Sequence, residues 1–406
     1  MTLLHSLTFY CILLHCIQNF TDPAAIAMPP LHDAVEMSRE AEVAWLIQED
    51  PMRLWEPDYF RRVPAHRTAC PRIAEMIMDY APSSASIRDC YGRIPLHYAP
   101  SPEMVDAWIG GGRCDPLTAD TYGFTSLHLA AQRGYADVAA ALVRLSPASV
   151  HAPDSRGRLP VHDAAQYGYE DTLRVLVEAD PDMDLRSVVE LAAMHGHMDL
   201  VTYLDGIDPT ACARGSPLHM AASTGASDVV NFLLTKLSPG TMDTKGCLPL
   251  HYAALSGHPD CVRLLMDAGA SCLAQDTLGR LPLHYAAFSG SVDCVDLLLA
   301  IGGIETALMC DSDGNVPLHF AAEGSSTHMV THMFDTCPDA ALLKNAADEQ
   351  ALDIAVRGGR DDVIEALLAK YEHMDLSHLC HTPEASVVTP VKATFTTCTA
   401  CVSACA

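Results

Sequence analysis

The stretch Leu281-Pro282-Leu283-His284-Tyr285-Ala286-Ala287-Phe288-Ser289-Gly290 recurs almost unchanged thirty-three residues earlier as Leu248-Pro249-Leu250-His251-Tyr252-Ala253-Ala254-Leu255-Ser256-Gly257. A fixed period of this length marks a chain built from stacked supersecondary units, each too small to bury its own apolar faces. The 406 residues, 49% of them hydrophobic, are too many for one compact core and ample for such an array.

The histidine of the motif can be followed along the chain as His32, His66, His97, His128, His162, His219, His251, His284 and His319. Glu190 and Asp353 occupy two further marks, and the intervals between neighbours run from 28 to 35 residues. These eleven marks predict about 10–11 repeats, degenerate at both ends, where one side of the stack faces water.

Each strong unit carries its own punctuation. Pro249 is pre-set for the first turn of a helix, where its missing N–H costs nothing. Leu250, Ala253 and Ala254 give a short helix a small-residue face. Gly257 breaks that helix, as do its equivalents Gly134, Gly168, Gly196, Gly225, Gly290 and Gly359. A second helix follows with apolar residues at helical spacing, such as Cys294, Val295, Leu298 and Leu299. An Asp-x-x-Gly turn then leads onward at Asp89–Gly92, Asp120–Gly123, Asp154–Gly157, Asp243–Gly246, Asp276–Gly279 and Asp311–Gly314, with Asp accepting backbone N–H groups and Gly supplying positive φ.

Two departures stand out. The units at His66 and His97 are three residues short, and Pro71 and Pro100-Ser101-Pro102 place the loss at the junction between their helices. Around Glu190 the intervals shrink to 28 and 29 and the Asp-x-x-Gly turn is missing on both sides. Clipped fingers, and a notch or bend near residues 180–215, are expected there.

The Leu-Pro-Leu-His-Tyr-Ala-Ala units resemble ankyrin repeats over roughly residues 29–371. The resemblance implies an all-α repeat solenoid of helix-turn-helix pairs with β-hairpin or turn fingers. It implies a non-catalytic protein–protein interaction module, an adaptor or scaffold, whose partner docks along a concave face of finger tips and inner-helix ends. The chain departs from the family where a Thr usually precedes Pro-Leu-His: Ile94, Leu159, Leu248, Leu281 and Val316 stand there, and only Thr125 and Ser216 keep a hydroxyl. In the family that hydroxyl helps to bond the His of neighbouring units, so a weaker side-chain network is expected here.

Mapped onto this chain, the implied face is Tyr91, Arg93, Tyr122, Phe124, Arg156, Arg158, Lys245, Leu278, Arg280 and Asn315 at the tips, with Gln132, Arg133, Gln166, Tyr167, Met194, His195, Leu255 and Phe288 on the inner helices. It is basic and aromatic, apart from Asp313 and Glu323 in the last unit, although the whole chain carries a formal charge of -26. Arg, Tyr and Phe are the residue types that anchor interfaces. The expected partner is therefore a protein or peptide, acidic or aromatic in character, and the acidic excess is expected on the opposite side. The same excess argues against nucleic acid and anionic membranes, both polyanions.

No catalytic, cofactor or metal site emerges from the sequence. Histidines one per layer cannot share a metal, so His97, His128, His162, His219, His251, His284 and His319 are expected to be structural. His328 and His332, at i and i+4, lack a third ligand and the Glu of a zinc protease. The sixteen cysteines are scattered, and most read as small buried hydrophobes in a reducing compartment. Cys398, Cys401 and Cys405, with Cys380-His381 upstream, form the one cluster, in a Thr-rich segment 373–406 read as a flexible tail with free thiols; metal binding and lipid attachment are the alternatives.

The array is placed at 28–372. Residues 1–27 precede it: an apolar run of signal-peptide length with Ala25-Ile26-Ala27 as a small-x-small site, but without Lys or Arg, or else an upstream extension before Met28. The expected setting is cytoplasmic and monomeric, with a secreted or lipid-tethered protein as the alternative.

Overall fold

Three local instructions build each unit of the computed structural model, which describes residues 30–372. Pro249, Pro282 and Pro317 open inner helices at the first helical position. The first of those helices breaks at Gly257 and the second at Gly290, with φ of 71° and 83°, a region open to glycine without strain. Outer helices follow at Pro259–Asp267, Val292–Gly302 and Thr327–Thr336. The inner helices Pro249–Leu255, Pro282–Ser289 and Pro317–Gly324 then pack one on the next, as do the outer helices Pro259–Asp267 and Val292–Gly302. The approach is close because Ala253, Ala254, Ala286, Ala287, Ala321 and Ala322 are all fully buried between them. Leu265 and Leu298 fill the outer seam, each contributing roughly 1.5–3 kcal/mol by leaving water.

There are 21 α-helices and no strand among the described residues. The fingers are thus turns rather than β-hairpins. Each is closed by two backbone bonds, such as Asp276 N–H to the Arg280 carbonyl and Gly279 N–H to the Asp276 carbonyl, both at 3.0 Å, and is too short to form a ladder of its own.

The chain forms two compact units, divided between Met183 and Asp184. The first contains five helix pairs, from Pro30–Glu36 with Glu40–Glu49 to Pro160–Tyr167 with Glu170–Ala179. In its second and third pairs the inner helix has collapsed to the 3₁₀ turns Pro64–His66 and Pro95–Tyr98. The three missing residues therefore come out of the inner helix, not out of the junction that follows it. A proline so soon after the histidine (Pro71, Pro100) leaves no room to complete an α-turn.

The second unit contains six pairs, from Arg186–Met194 with Met198–Ile207 to Ala351–Arg357 with Asp361–Glu372. Its first finger position, after Met198–Ile207, holds a short helix instead, Pro209–Arg214, capped by the Asp208 side chain. Of the two clipped fingers expected on either side of Glu190, the one that follows it is replaced by this helix. Most outer helices carry acid in their first turn, including Asp137, Glu170, Asp199, Asp228, Asp260, Asp293 and Asp361. Carboxylates there complement the helix dipole and put much of the negative charge on the outer layer.

Candidate functional site

In most repeats the motif histidine joins its unit to the next. In the unit of His284, Nδ1 accepts the Leu281 N–H at 3.0 Å and Nε2–H donates to the Asn315 carbonyl in the following finger at 3.1 Å. The same pair of bonds recurs at His66, His97, His128, His251 and His319. His219 reaches the Cys247 carbonyl at 3.0 Å, and His162 accepts from Leu159 N–H at 3.0 Å. Burial pushes all of these imidazoles down, His97 and His284 to about 4, so they stay neutral with the proton on Nε2. Where other residues replace histidine, part of the function persists. Glu190 Oε1 accepts the Ser216 N–H of the next unit at 2.6 Å, and Asp353 Oδ2 accepts the Gln350 N–H at 2.9 Å.

This geometry corrects the expectation about the missing threonines. Thr125 Oγ1 lies 2.9 Å from Nδ1 of His128, the histidine of its own unit. The bond between units is made by Nε2 and a backbone carbonyl, which Leu, Ile or Val at the threonine position leaves intact.

The finger aspartates are equally committed. Asp276 Oδ1 accepts from Leu278 and Arg280 N–H, both at 2.8 Å, and Oδ2 accepts the Tyr285 hydroxyl at 2.6 Å. Asp89 with Tyr98 and Asp243 with Tyr252 repeat this arrangement at 2.6 and 2.7 Å.

Four of the six basic residues expected on a free face are drawn into this frame. Arg93 Nε donates to the buried Asp120 of the next finger at 2.9 Å, with its guanidinium over Tyr91. Arg158 is held by Asp154 at 3.2 Å, Asp163 at 3.4 Å and Gln166 at 2.8 Å. Arg280 lies 3.6 Å from Asp311 and over the Phe320 ring, and Arg133 donates to the His97 carbonyl at 3.3 Å. Arg156 and Lys245 are exposed and make no ion pair with a described residue. The apolar and aromatic members remain outward: Tyr122 is 45% exposed, Tyr167 50%, Leu278 46% and Phe288 41%. Phe124, Gln132, Gln166, Tyr91, Asn315 and Met194 are half-buried, and His195 and Leu255 are exposed.

One tip residue was not legible from the motif. Phe60 sits where Tyr91 and Tyr122 sit in later fingers; its ring stacks on Tyr91 at 6.5 Å, with Arg62 over it at 4.7 Å. Its finger lacks the Asp-x-x-Gly signature because Arg61 holds the left-handed position at φ 60°. The spacing of an aspartate four residues before Arg62 was the available signal.

Among the described residues no group of three His, Cys, Asp or Glu could hold a metal ion. His328 is exposed, and His332 is tied to Asp296 at 2.7 Å. The described cysteines are free thiols, with Cys114, Cys212, Cys247, Cys261, Cys294 and Cys337 buried. Cys380-His381, the cluster Cys398, Cys401, Cys405 and the leader 1–27 lie outside the described residues. No helix among the described residues is long and apolar enough to cross a membrane.

Paired helices, a bonded histidine in nearly every layer and turn fingers between them define a helical repeat array. Residues 100–187, 189–276, 218–309 and 283–378 each match the family model for ankyrin repeats (3 copies). The chain belongs to the ankyrin-repeat family. Ankyrin repeats are generally protein–protein interaction modules and typically not enzymes. A search of the curated proteins finds no match to the chain.

Proposed function

We propose that this protein is a non-catalytic adaptor or scaffold that binds a protein or peptide with its finger tips and inner-helix ends. The observation that carries this reading is a division of labour at adjacent positions. The second residue after the finger Asp is exposed in four fingers, as Tyr122, Arg156, Lys245 and Leu278, while its backbone N–H is held by that Asp. Exposed Tyr, Phe and Leu beside unpaired cations supply what an interface centre uses: large apolar area at low entropic cost, with charge for orientation. In the first unit this favours an acidic or aromatic-bearing partner segment, because the Arg156 finger is bonded to the Tyr122 finger through Ser155 N–H. A monomeric array acting in the cytoplasm is the setting that fits free thiols.

Affinity purification of the full chain, with mass spectrometry, tests the reading. A variant carrying Tyr122→Ser, Arg156→Glu, Leu278→Ser and Phe288→Ser changes only exposed side chains. It is expected to lose the partners that the unaltered chain recovers, while keeping its far-ultraviolet circular dichroism. Equal recovery by the two forms would overturn the proposal. Arg158 is left out of the variant because reversing it would break the frame as well as the face.

A further inference from the structure

We propose that the groove between the last two units of the array takes a cationic side chain of the partner, with an arginine guanidinium as the best fit. The proposal rests on the reading above, that the finger side binds protein, and names the chemistry of one part of it.

The groove is a cavity of about 430 Å³ between the inner helices Pro317–Gly324 and Ala351–Arg357 and the fingers that precede them. That volume falls within the roughly 300–1,000 Å³ typical of ligand pockets. Its lining includes Phe320 and Ile354, the side chains that follow His319 and Asp353. Asp313 projects from one finger tip, and Glu323 stands one helical turn beyond Phe320.

Its charges are unbalanced. The lining contains three carboxylates, Asp313, Glu323 and Glu349, and one guanidinium, Arg357. Arg357 lies 3.5 Å from Glu349, so that pair is already matched. Neither Asp313 nor Glu323 makes an ion pair with a described residue, and both are exposed at the groove edge. A metal does not answer this arrangement, since no three such groups are close enough to hold one among the described residues. Two carboxylates at the edge of a groove that Phe320 also lines suit a planar, delocalised cation on a long apolar stem. The molecule already uses that combination next door: the Arg280 guanidinium packs over the Phe320 ring at 5.1 Å and faces Asp311 at 3.6 Å. The groove therefore has the opposite polarity to the finger tips of the first unit, where Arg156 leads.

Methyl-detected NMR of the full chain, with N-acetyl-arginine methylamide as probe and its uncharged citrulline counterpart as control, tests this directly. The expected result is saturable shifts at the Ile354, Ala346 and Ala347 methyls with the arginine probe, weaker ones with the lysine analogue and none with citrulline. Asp313→Asn and Glu323→Gln, both exposed, should each weaken binding about two- to fivefold, the range of an exposed ion pair. Equal shifts with citrulline, shifts that do not centre on these methyls, no shift at all, or no loss in the double variant would each overturn the proposal. Such a failure leaves the purification experiment untouched, since none of the four substitutions used there lines this groove.

Discussion

Asp163 is the residue whose removal should most clearly improve the fold. It occupies the position where Tyr98, Tyr252 and Tyr285 donate to a finger aspartate, and it is fully buried. Neither carboxylate oxygen accepts a well-formed hydrogen bond. Its nearest cation, Arg158 at 3.4 Å, is shared with Asp154 and Gln166. Burial raises the Asp163 carboxyl from the usual 3.8 to about 6, and Arg158 and Gln132 offset only part of that rise. Each pH unit of difference between folded and unfolded chain is worth about 1.4 kcal/mol, so ionised Asp163 costs about 3 kcal/mol at neutral pH. The sign follows from proton counting. Between pH 3.8 and about 6 the folded chain keeps a proton that the unfolded chain has released, so stability falls as pH rises and levels off above 6. Asp163→Asn cannot ionise and removes this component. Urea unfolding of both forms, measured at half-unit steps from pH 4 to 8, should show the variant gaining on the parent by about 3 kcal/mol between pH 4 and 6.5, with a constant difference above that. A difference independent of pH would refute the assignment, because it would mean that Asp163 carries the same charge in both states.

Three further outcomes are expected. Acid should act on the parent in the opposite sense through its histidines: His97 and His284, held to about 4, stay neutral while the unfolded chain protonates near 6.5, so stability present above 6.5 is lost toward pH 4 at about 1.4 kcal/mol per unit for each, measurable as proton uptake on unfolding. His284→Ala removes both the Leu281 and Asn315 bonds from a fully buried site and should cost about 2–4 kcal/mol by urea denaturation. Gly123→Ala forces a side chain into φ 84° with its Cβ 2.3 Å from the Ser155 backbone nitrogen, where the neighbouring finger bonds to the Tyr122 carbonyl; a loss of about 2–4 kcal/mol in thermal or urea unfolding is expected, against less than 1 kcal/mol for Gly157→Ala's steric component, since nothing lies within 4 Å there.

The helix pairs were legible because their instructions are local. Proline at the first turn, glycine at the break and aspartate four residues before a backbone partner are all read within one unit. The fingers at the two ends were not, because Arg61 and Asp348 take the left-handed position at φ 60° and 65° without the glycine that announces it. The fate of the arginines was hidden for a different reason. Arg93 and Asp120 are 27 residues apart, and Arg280 and Asp311 are 31 apart, so each pair meets only after two units have stacked. A basic residue after the turn glycine looks free in one repeat and is bound by the aspartate of the next. The collapse of the inner helix at His66 and His97 was equally invisible, since the interval counts residues and says nothing of which element surrenders them.

These internal pairings sharpen where recognition can reside. Successive fingers are tied together by one backbone bond each: Cys90 N–H to the Phe60 carbonyl, Thr121 to Tyr91 and Ser155 to Tyr122 in the first unit, and Thr277 to Lys245, Ser312 to Leu278 and Ala346 to Asp313 in the second. The accepting residue is always the tip residue, so its carbonyl is fixed by the stack while its side chain carries no structural duty common to the series. Phe60, Tyr91, Tyr122 and Arg156 therefore form one register, and Lys245, Leu278 and Asp313 another. Substitution at these positions changes chemistry without disturbing the bond that spaces them. An aromatic series ending in a cation in one unit, and a series passing from cation through leucine to carboxylate in the other, are what a surface reading roughly one residue per repeat would vary. The repeated histidine motif sets the spacing of these tip residues.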